Sequence, residues 1–248
     1  MGKIVCFIPA RYSSSRFQGK PLADICGKPM IQHVYERVVR AGSLFFAAVA
    51  TDDERIADAV RRFGGRAVMT ASSHRSGTDR IAEAAGICGL DDDDIVVNVQ
   101  GDQPLFTPIH IDEVIQPLLK DRTLPMATLV FRIQRSEEIT HPHAVKAVFT
   151  AKGEALYFSR ATIPFVRDKG IETAYFKHHG IYAYRRWFLD VFARLETGYL
   201  EHRESLEMLR ALEHGYRIMV AETDHDSVEV DSPEELARVC DIVQGCGD

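Results

Sequence analysis

In the first half of this 248-residue chain, short apolar runs rich in Ile, Val and Ala alternate with stretches of helical period, and this alternation constrains the fold most. Residues 3–9, 45–51, 66–70 and 95–100 have the length and β-branched content of buried strands. Between them, 29–41 reads as a helix opened near Pro29 and closed at Gly42, and 53–63 as one that stops at Gly64-Gly65. Ser76-Gly77-Thr78-Asp79 has capping-box spacing and opens a helix to about Cys88, and 108–119 is again helical. Such an order predicts an α/β fold with a mostly parallel, doubly wound Rossmann-like sheet.

From about Met126 to Tyr184 the pattern changes. Residues 126–132, 144–149, 155–158 and 180–184 are extended candidates with few helices between them. They predict an antiparallel excursion that serves substrate closure or a dimer contact. Helical period returns at 186–195 and 203–214, where Leu206, Leu209 and Leu212 share a face. A strand pair (217–222, 227–230) and a helix from Pro233 follow. With no linker, repeat or low-complexity segment, residues 1–248 are expected to form a single domain, with 126–184 as its antiparallel subregion.

The stretch after the first strand runs against the composition. The chain carries a net charge of −6, yet Arg11-Tyr12-Ser13-Ser14-Ser15-Arg16-Phe17-Gln18-Gly19-Lys20 holds three cations and three serines. The loop beyond the carboxyl end of a strand in an open α/β sheet is a usual ligand site. Cations and free backbone N–H groups there suit a phosphate chain. A P-loop is excluded, since Ser14 stands where its first Gly belongs and Pro21 follows Lys20; the dinucleotide G-x-G-x-x-G is missing too. On residue types alone, a solvated surface loop is an equal reading.

Two aspartates sit where strands end. Val97-Asn98-Val99-Gln100 runs into Gly101-Asp102-Gln103-Pro104, a sharp turn that projects Asp102 toward the side of the cationic loop. Its plain alternative is a turn aspartate satisfying local N–H groups. In Val230-Asp231-Ser232-Pro233-Glu234-Glu235, Ser232 and Glu235 make a capping box and Pro233 suits the first helical position. Asp231 is thereby released to bind a cation, or serves as an alternative cap. A cationic loop with two strand-end carboxylates suits nucleotidyl transfer, because Mg²⁺ takes carboxylate oxygens, water and substrate phosphates.

Five cysteines without a C-x-x-C pair argue for reduced thiols and a cytoplasmic protein. No apolar run approaches bilayer length and no charged-then-apolar leader is seen, so neither membrane insertion nor export is expected. The acidic balance disfavours nucleic acid as a partner. Asp91-Asp92-Asp93-Asp94 reads as a solvated turn before a strand.

Ile8-Pro9-Ala10-Arg11-Tyr12, Gly19-Lys20-Pro21-Leu22, Ala50-Thr51-Asp52, Ser76-Gly77-Thr78-Asp79-Arg80, Gln100-Gly101-Asp102, Tyr157 to Pro164, Gly180-Ile181-Tyr182 and Val230-Asp231-Ser232-Pro233-Glu234 together resemble the 3-deoxy-manno-octulosonate cytidylyltransferase (CMP-KDO synthetase) family, in order along nearly the whole chain. The resemblance implies that the 2-hydroxyl of KDO, an acidic eight-carbon sugar, attacks the α-phosphorus of CTP. CMP-KDO for lipopolysaccharide biosynthesis and pyrophosphate result, with Mg²⁺ as cofactor. It implies that Arg11, Ser14, Arg16 and Lys20 hold the triphosphate, and that Pro9, Ala10, Arg75 and Ser76 lie near the nucleoside. Asp102 and Asp231 are the implied metal ligands, and Arg16, Lys20 and Asp102 the catalytic set. Gln100, Arg160, His178, Tyr182 and Glu207 are implied to contact the sugar. A homodimer formed through 126–184 is also implied.

Departures from the family pattern fall at His179, Gln103, Met208 and Glu229, where an aliphatic residue, Glu, Gln and Gly are usual. Those at Met208 and His179 leave the 8-amino form of the sugar as an alternative acceptor, and His179 competes with the adjacent His178 for the sugar contact. A non-catalytic nucleotide-binding regulator is the alternative from another class.

Overall fold

The computed structural model describes residues 2–13, 17–168, 170–227, 229–230 and 232–245. Strands β1 (Ile4–Ala10), β2 (Asp24–Ile25), β3 (Lys28–Pro29), β4 (Phe46–Thr51), β5 (Ala67–Met69) and β6 (Ile95–Asn98) fall in the first half. They interleave with helices α1 (Met30–Val38), α2 (Glu54–Arg62) and α3 (Gly77–Ile87). Then come α4 (Ile109–Val114), α5 (Gln116–Lys120), β7 (Met126–Arg132), α6 (Ser136–Thr140), β8 (Lys146–Phe149), β9 (Ala155–Ser159) and β10 (Phe176–Arg185). The chain continues through α7 (Arg186–Phe192), α8 (Tyr199–Glu204), α9 (Leu209–Glu213), β11 (Ile218–Thr223) and α10 (Pro233–Gly245).

The main sheet runs β11-β7-β10-β6-β1-β4-β5. β1 is parallel to β4 and β6, β4 to β5, and β7 to β11, while β10 lies antiparallel between β6 and β7. Both faces are covered, and the alternation of β1 shows how. Val5 and Phe7 join the core under α3 and α7, whereas Cys6, Ile8 and Ala10 join the core under α1, α2, α4 and α5. Two caps are built as expected: Ser76 Oγ accepts from Asp79 N at 3.1 Å, and Ser232 Oγ accepts from Glu235 N at 3.2 Å.

Four expectations need correction. The antiparallel part is not wholly an excursion: β7 and β10, buried on both faces, are central strands, and only the β8–β9 hairpin leaves the main path. The helix expected over 108–119 is two short ones meeting at Ile115, two residues before Pro117, whose ring nitrogen has no proton to donate. The helix expected over 203–214 is also broken. α8 stops because Ser205 adopts φ 52° and the Glu204 and Ser205 carbonyls turn to accept from Arg160 Nε (2.7 Å) and Nη2 (3.4 Å). Finally, the described residues of 227–230 form no strand, since Val230 N donates instead to the Asp102 carbonyl at 2.9 Å.

Candidate active site

The carboxyl ends of β1 and β6 meet the amino end of α3, and glycines let the three backbones approach. A Cβ on Gly101 would lie 3.1 Å from the Pro9 carbonyl oxygen, and one on Gly77 would lie 3.1 Å from Pro9 Cγ. The first loop returns on itself where Gly19 N donates to the Tyr12 carbonyl at 2.8 Å. Gly19 has φ +72°, and a Cβ there would also press on the Tyr12 ring at 3.2 Å. Lys20 is delivered at the start of a short 3-10 turn (Lys20–Leu22). Its Nζ donates to Asp102 Oδ2 at 2.7 Å and to the Val230 carbonyl at 2.9 Å.

A cleft of about 380 Å³ opens over this junction. Pro9, Ala10, Arg11, Ser13, Lys20 and Pro21 form the first-loop wall, and Gly77, Arg80, Gln100, Gly101 and Asp102 the other. The free N–H groups at the start of α3 add positive potential, so the cleft suits an anion. Asp102 is the carboxylate among its described lining residues. Of the residues expected near the nucleotide, Pro9, Ala10, Arg11 and Lys20 share this cleft with Asp102 and Gln100. Arg75 and Ser76 flank it: Arg11 Nη1 donates to the Arg75 carbonyl at 3.4 Å, and Ser76 caps α3 immediately before Gly77. Ser14, Arg16 and Asp231 lie outside the described residues.

Arg80 was not anticipated in this role. Its guanidinium is fully buried, donates through Nη1 to Thr70 Oγ1 at 2.6 Å, and places Nη2 3.2 Å from Asp52 Oδ1. Thus the Ala50-Thr51-Asp52 and Ser76-to-Arg80 stretches are parts of one cation-positioning network. The available signal was an Asp at a strand end paired in sequence pattern with an Arg one turn into a helix.

The expected sugar residues fall into distinct environments. His178 Nε2 donates to Thr128 Oγ1 at 2.9 Å, because the Thr128 hydroxyl donates onward to the Ile181 carbonyl at 2.8 Å. Its ring lies against Phe158 and Tyr182, and burial pulls its pKa down to about 3. The neutral imidazole therefore keeps Nδ1 as an acceptor. His179 packs instead against His110 and Phe131, and burial lowers its pKa to about 3 as well. Tyr182 is buried beside Tyr184, and dehydration raises its phenol pKa.

Glu207 accepts from Thr78 Oγ1 at 2.5 Å. Burial raises its pKa, opposed by hydrogen bonds from Thr78 and Ser76. It therefore braces the amino end of α3. Arg160 gives three donors to main-chain oxygens of Glu204, Pro142 and Ser205, so much of its guanidinium fastens β9 to the end of α8. A second cleft, of about 420 Å³, is lined by His178, His179, Arg135, Lys177 and Glu229 among others. Gln100 links the two clefts: it lines the first, and its Cγ lies 3.6 Å from the Cβ position of Gly180, where Glu229 Oε1 also approaches.

Comparisons with known proteins place the chain in a family. The sequence model of a family described as Cytidylyltransferase matches residues 5–218. The chain is 70% identical over 245 residues to the 3-deoxy-manno-octulosonate cytidylyltransferase of Syntrophus aciditrophicus (strain SB), covering 99% of each. It is 55% identical over 239 residues to the 8-amino-3,8-dideoxy-manno-octulosonate cytidylyltransferase of Shewanella sediminis (strain HAW-EB3), covering 96% of this chain and 97% of that one. A solved CMP:2-keto-3-deoxy-manno-octonic acid synthetase complexed with CTP superposes with a TM-score of 0.92 at 43% identity, covering 98% of this chain and 99% of the other.

Proposed function

The chain belongs to the cytidylyltransferase family, and from that premise we propose that it transfers CMP from CTP to the anomeric 2-hydroxyl of KDO, releasing pyrophosphate. The observation that carries this reading is the cleft in which Lys20 and Asp102 meet at 2.7 Å between the ends of β1 and β6. The 70% identity to a KDO enzyme favours KDO over the 8-amino sugar, whose named relative stands at 55%.

In this reading, Arg11, Lys20 and Arg80, with the amino end of α3, take up the charge of the triphosphate. Pro9, Ala10, Arg75 and Ser76 border the nucleoside, and Ser14 and Arg16 belong to the same loop. The sugar hydroxyl attacks in line and gives up its proton to solvent, one oxygen–phosphorus bond forms as another breaks, and the growing charge on pyrophosphate meets cations already in place. Water reorganisation is thereby avoided at the moment of transfer. Gln100, His178, Tyr182 and Glu207 present the acceptor, with His178 Nδ1 receiving a sugar hydroxyl. The remaining donors of Arg160 are available to the sugar carboxylate.

The donor set fits Mg²⁺. Asp102 offers a partly exposed carboxylate at the cleft floor, and Mg²⁺ is commonly held by one or two carboxylates plus substrate phosphates and water. Asp102 would hold the ion, with Asp231 as the second carboxylate. When bound, the ion neutralises phosphate charge and lowers the pKa of the attacking hydroxyl.

Incubation with CTP, KDO and Mg²⁺ is expected to release pyrophosphate in step with CMP-KDO. Nucleotide binding without transfer would favour the regulatory alternative, and turnover restricted to the 8-amino sugar would reassign the acceptor. No helix among the described residues is long and apolar enough to cross a membrane, and Cys6, Cys26, Cys88 and Cys240 are free thiols. A cytoplasmic reaction feeding lipopolysaccharide biosynthesis is part of the same proposal and follows from the resemblance to the KDO enzymes. Leu156, Phe165 and Ile171 are exposed at 61%, 86% and 60% within 126–184 and support a homodimer through that region. Mass measurement in dilute solution is expected to give twice the 27.9 kDa chain mass, and a monomer would refute the assignment.

A further inference from the structure

Glu229 is outside the acceptor set that the sequence implied, and it stands where the family pattern has glycine. Its Oε1 accepts a hydrogen bond from Gln103 Nε2 at 3.0 Å. Gln103 is fully buried one residue beyond Asp102, so the amide that holds Glu229 is fixed by the same turn. The next residue, Val230, donates its N–H to the Asp102 carbonyl at 2.9 Å, which secures the backbone on the other side.

The carboxylate is aimed at the irregular part of β10. Glu229 Oε1 lies 3.5 Å from where a Cβ on Gly180 would sit, and Gln103 Nε2 and Gln100 Cγ lie 3.4 and 3.6 Å from that point. Gly180 falls in the register shift between His179 and Tyr182, and Glu229 shares the second cleft with His178. The charge of Glu229 also reaches the Tyr182 phenol, adding to the larger effects of burial, Tyr184 and Glu207. A side chain at Gly180 would close this space. A carboxylate therefore stands with Gln100 at the Gly180 position, in the same cleft as His178 and within electrostatic reach of Tyr182, three of the five residues implied to contact the sugar.

We propose that Glu229 is a further specificity-determining residue for the acceptor: it takes hydrogen bonds from hydroxyl groups of the polyhydroxylated sugar acid and turns the sugar's own carboxylate away from the Gly180 bulge. The inference rests on the acceptor reading given above. An ionised carboxylate is a stronger acceptor for hydroxyl donors than a neutral oxygen, and it repels a second carboxylate in the same cleft. One group thus gives both attraction for one end of the ligand and exclusion of the other.

Steady-state kinetics on the purified full chain, with each substrate varied while the other is saturating, provide the test. Glu229→Ala is expected to raise KM for KDO about 10-fold, the scale of one lost charge-assisted hydrogen bond, with KM for CTP and kcat within about 2-fold. Glu229→Gln keeps an acceptor oxygen without the charge and is expected to fall between Ala and the unsubstituted protein. A KDO KM within about 2-fold of the unsubstituted value in the Ala variant would overturn the proposal. So would parallel changes in both KM values and kcat, which would mark a structural role. Failure of the unsubstituted protein to use KDO is a separate outcome, and it overturns the acceptor reading together with the proposal.

Discussion

Asp102→Asn is expected to lower kcat by about 10²-fold or more, the scale of losing one preorganised electrostatic element at a reacting centre. The substitution keeps the shape of the side chain and removes only its charge. Two consequences follow at once. The proposed divalent ion would lose Asp102 as a ligand, and Lys20 loses the anionic partner that fixes its Nζ at 2.7 Å. Lys20 still donates to the Val230 carbonyl at 2.9 Å, so the loop stays attached and CTP affinity is expected to change only a few-fold. The side chain of Asp102 is 29% exposed, and the thermal midpoint is expected to move little. Measuring kcat, CTP affinity and unfolding on one preparation separates these effects. A kcat within about 10-fold of the unsubstituted enzyme would remove Asp102 from the catalytic set.

Acid is expected to destabilise the fold well before its carboxylates are protonated. His178 and His179 stay neutral in the folded chain down to about pH 3, whereas an exposed histidine takes up its proton near pH 6.5. Between those values the unfolded state binds more protons, so stability is full above about pH 6.5 and falls as pH falls toward 3. Each histidine contributes a slope of about 1.4 kcal/mol per pH unit, and the two together cost roughly 4 kcal/mol by pH 5. His110 adds to the trend, since burial lowers its pKa too. Urea midpoints at pH 7.5 and pH 5 measure the loss. His179→Gln removes one titrating ring from the side of the sheet opposite Tyr182, and the loss should then shrink by nearly half. Equal losses with and without that ring would refute the assignment.

How much of this was readable beforehand depends on the range of the interactions involved. β1, α2, α3 and the Ser232 cap were legible because their signals are local: an apolar run, a helical period, a hydroxyl three residues before an acid. The cleft that joins Pro9, Lys20 and Asp102 followed from one topological rule about strand ends. The central place of β10 was not legible, since a strand does not announce which partners it takes or in which direction. It runs antiparallel between β6 and β7, whose residues lie about 50 to 90 positions earlier, and short-range patterning carries no record of that. The end of α8 was hidden for the same reason: Leu206, Leu209 and Leu212 do read as one helical face, but Arg160 breaks the helix from a distance. Arg80 stood in a quoted motif, but its role in the cleft showed only once Asp52 and Thr70 were beside it. For Arg160, resemblance pointed to the sugar, and the geometry adds a fastening role that the residue type alone does not suggest.

The contact from Lys20 to Val230 spans 210 positions of the chain. It does not stand alone, since Val230 and Val239 pack with Ile25 and Met30, and the Val230 N–H reaches the Asp102 carbonyl at 2.9 Å. One wall of the cleft is therefore held by the far end of the chain. A chain cut back before Val230 would keep every strand of the main sheet and lose the main-chain acceptor of Lys20.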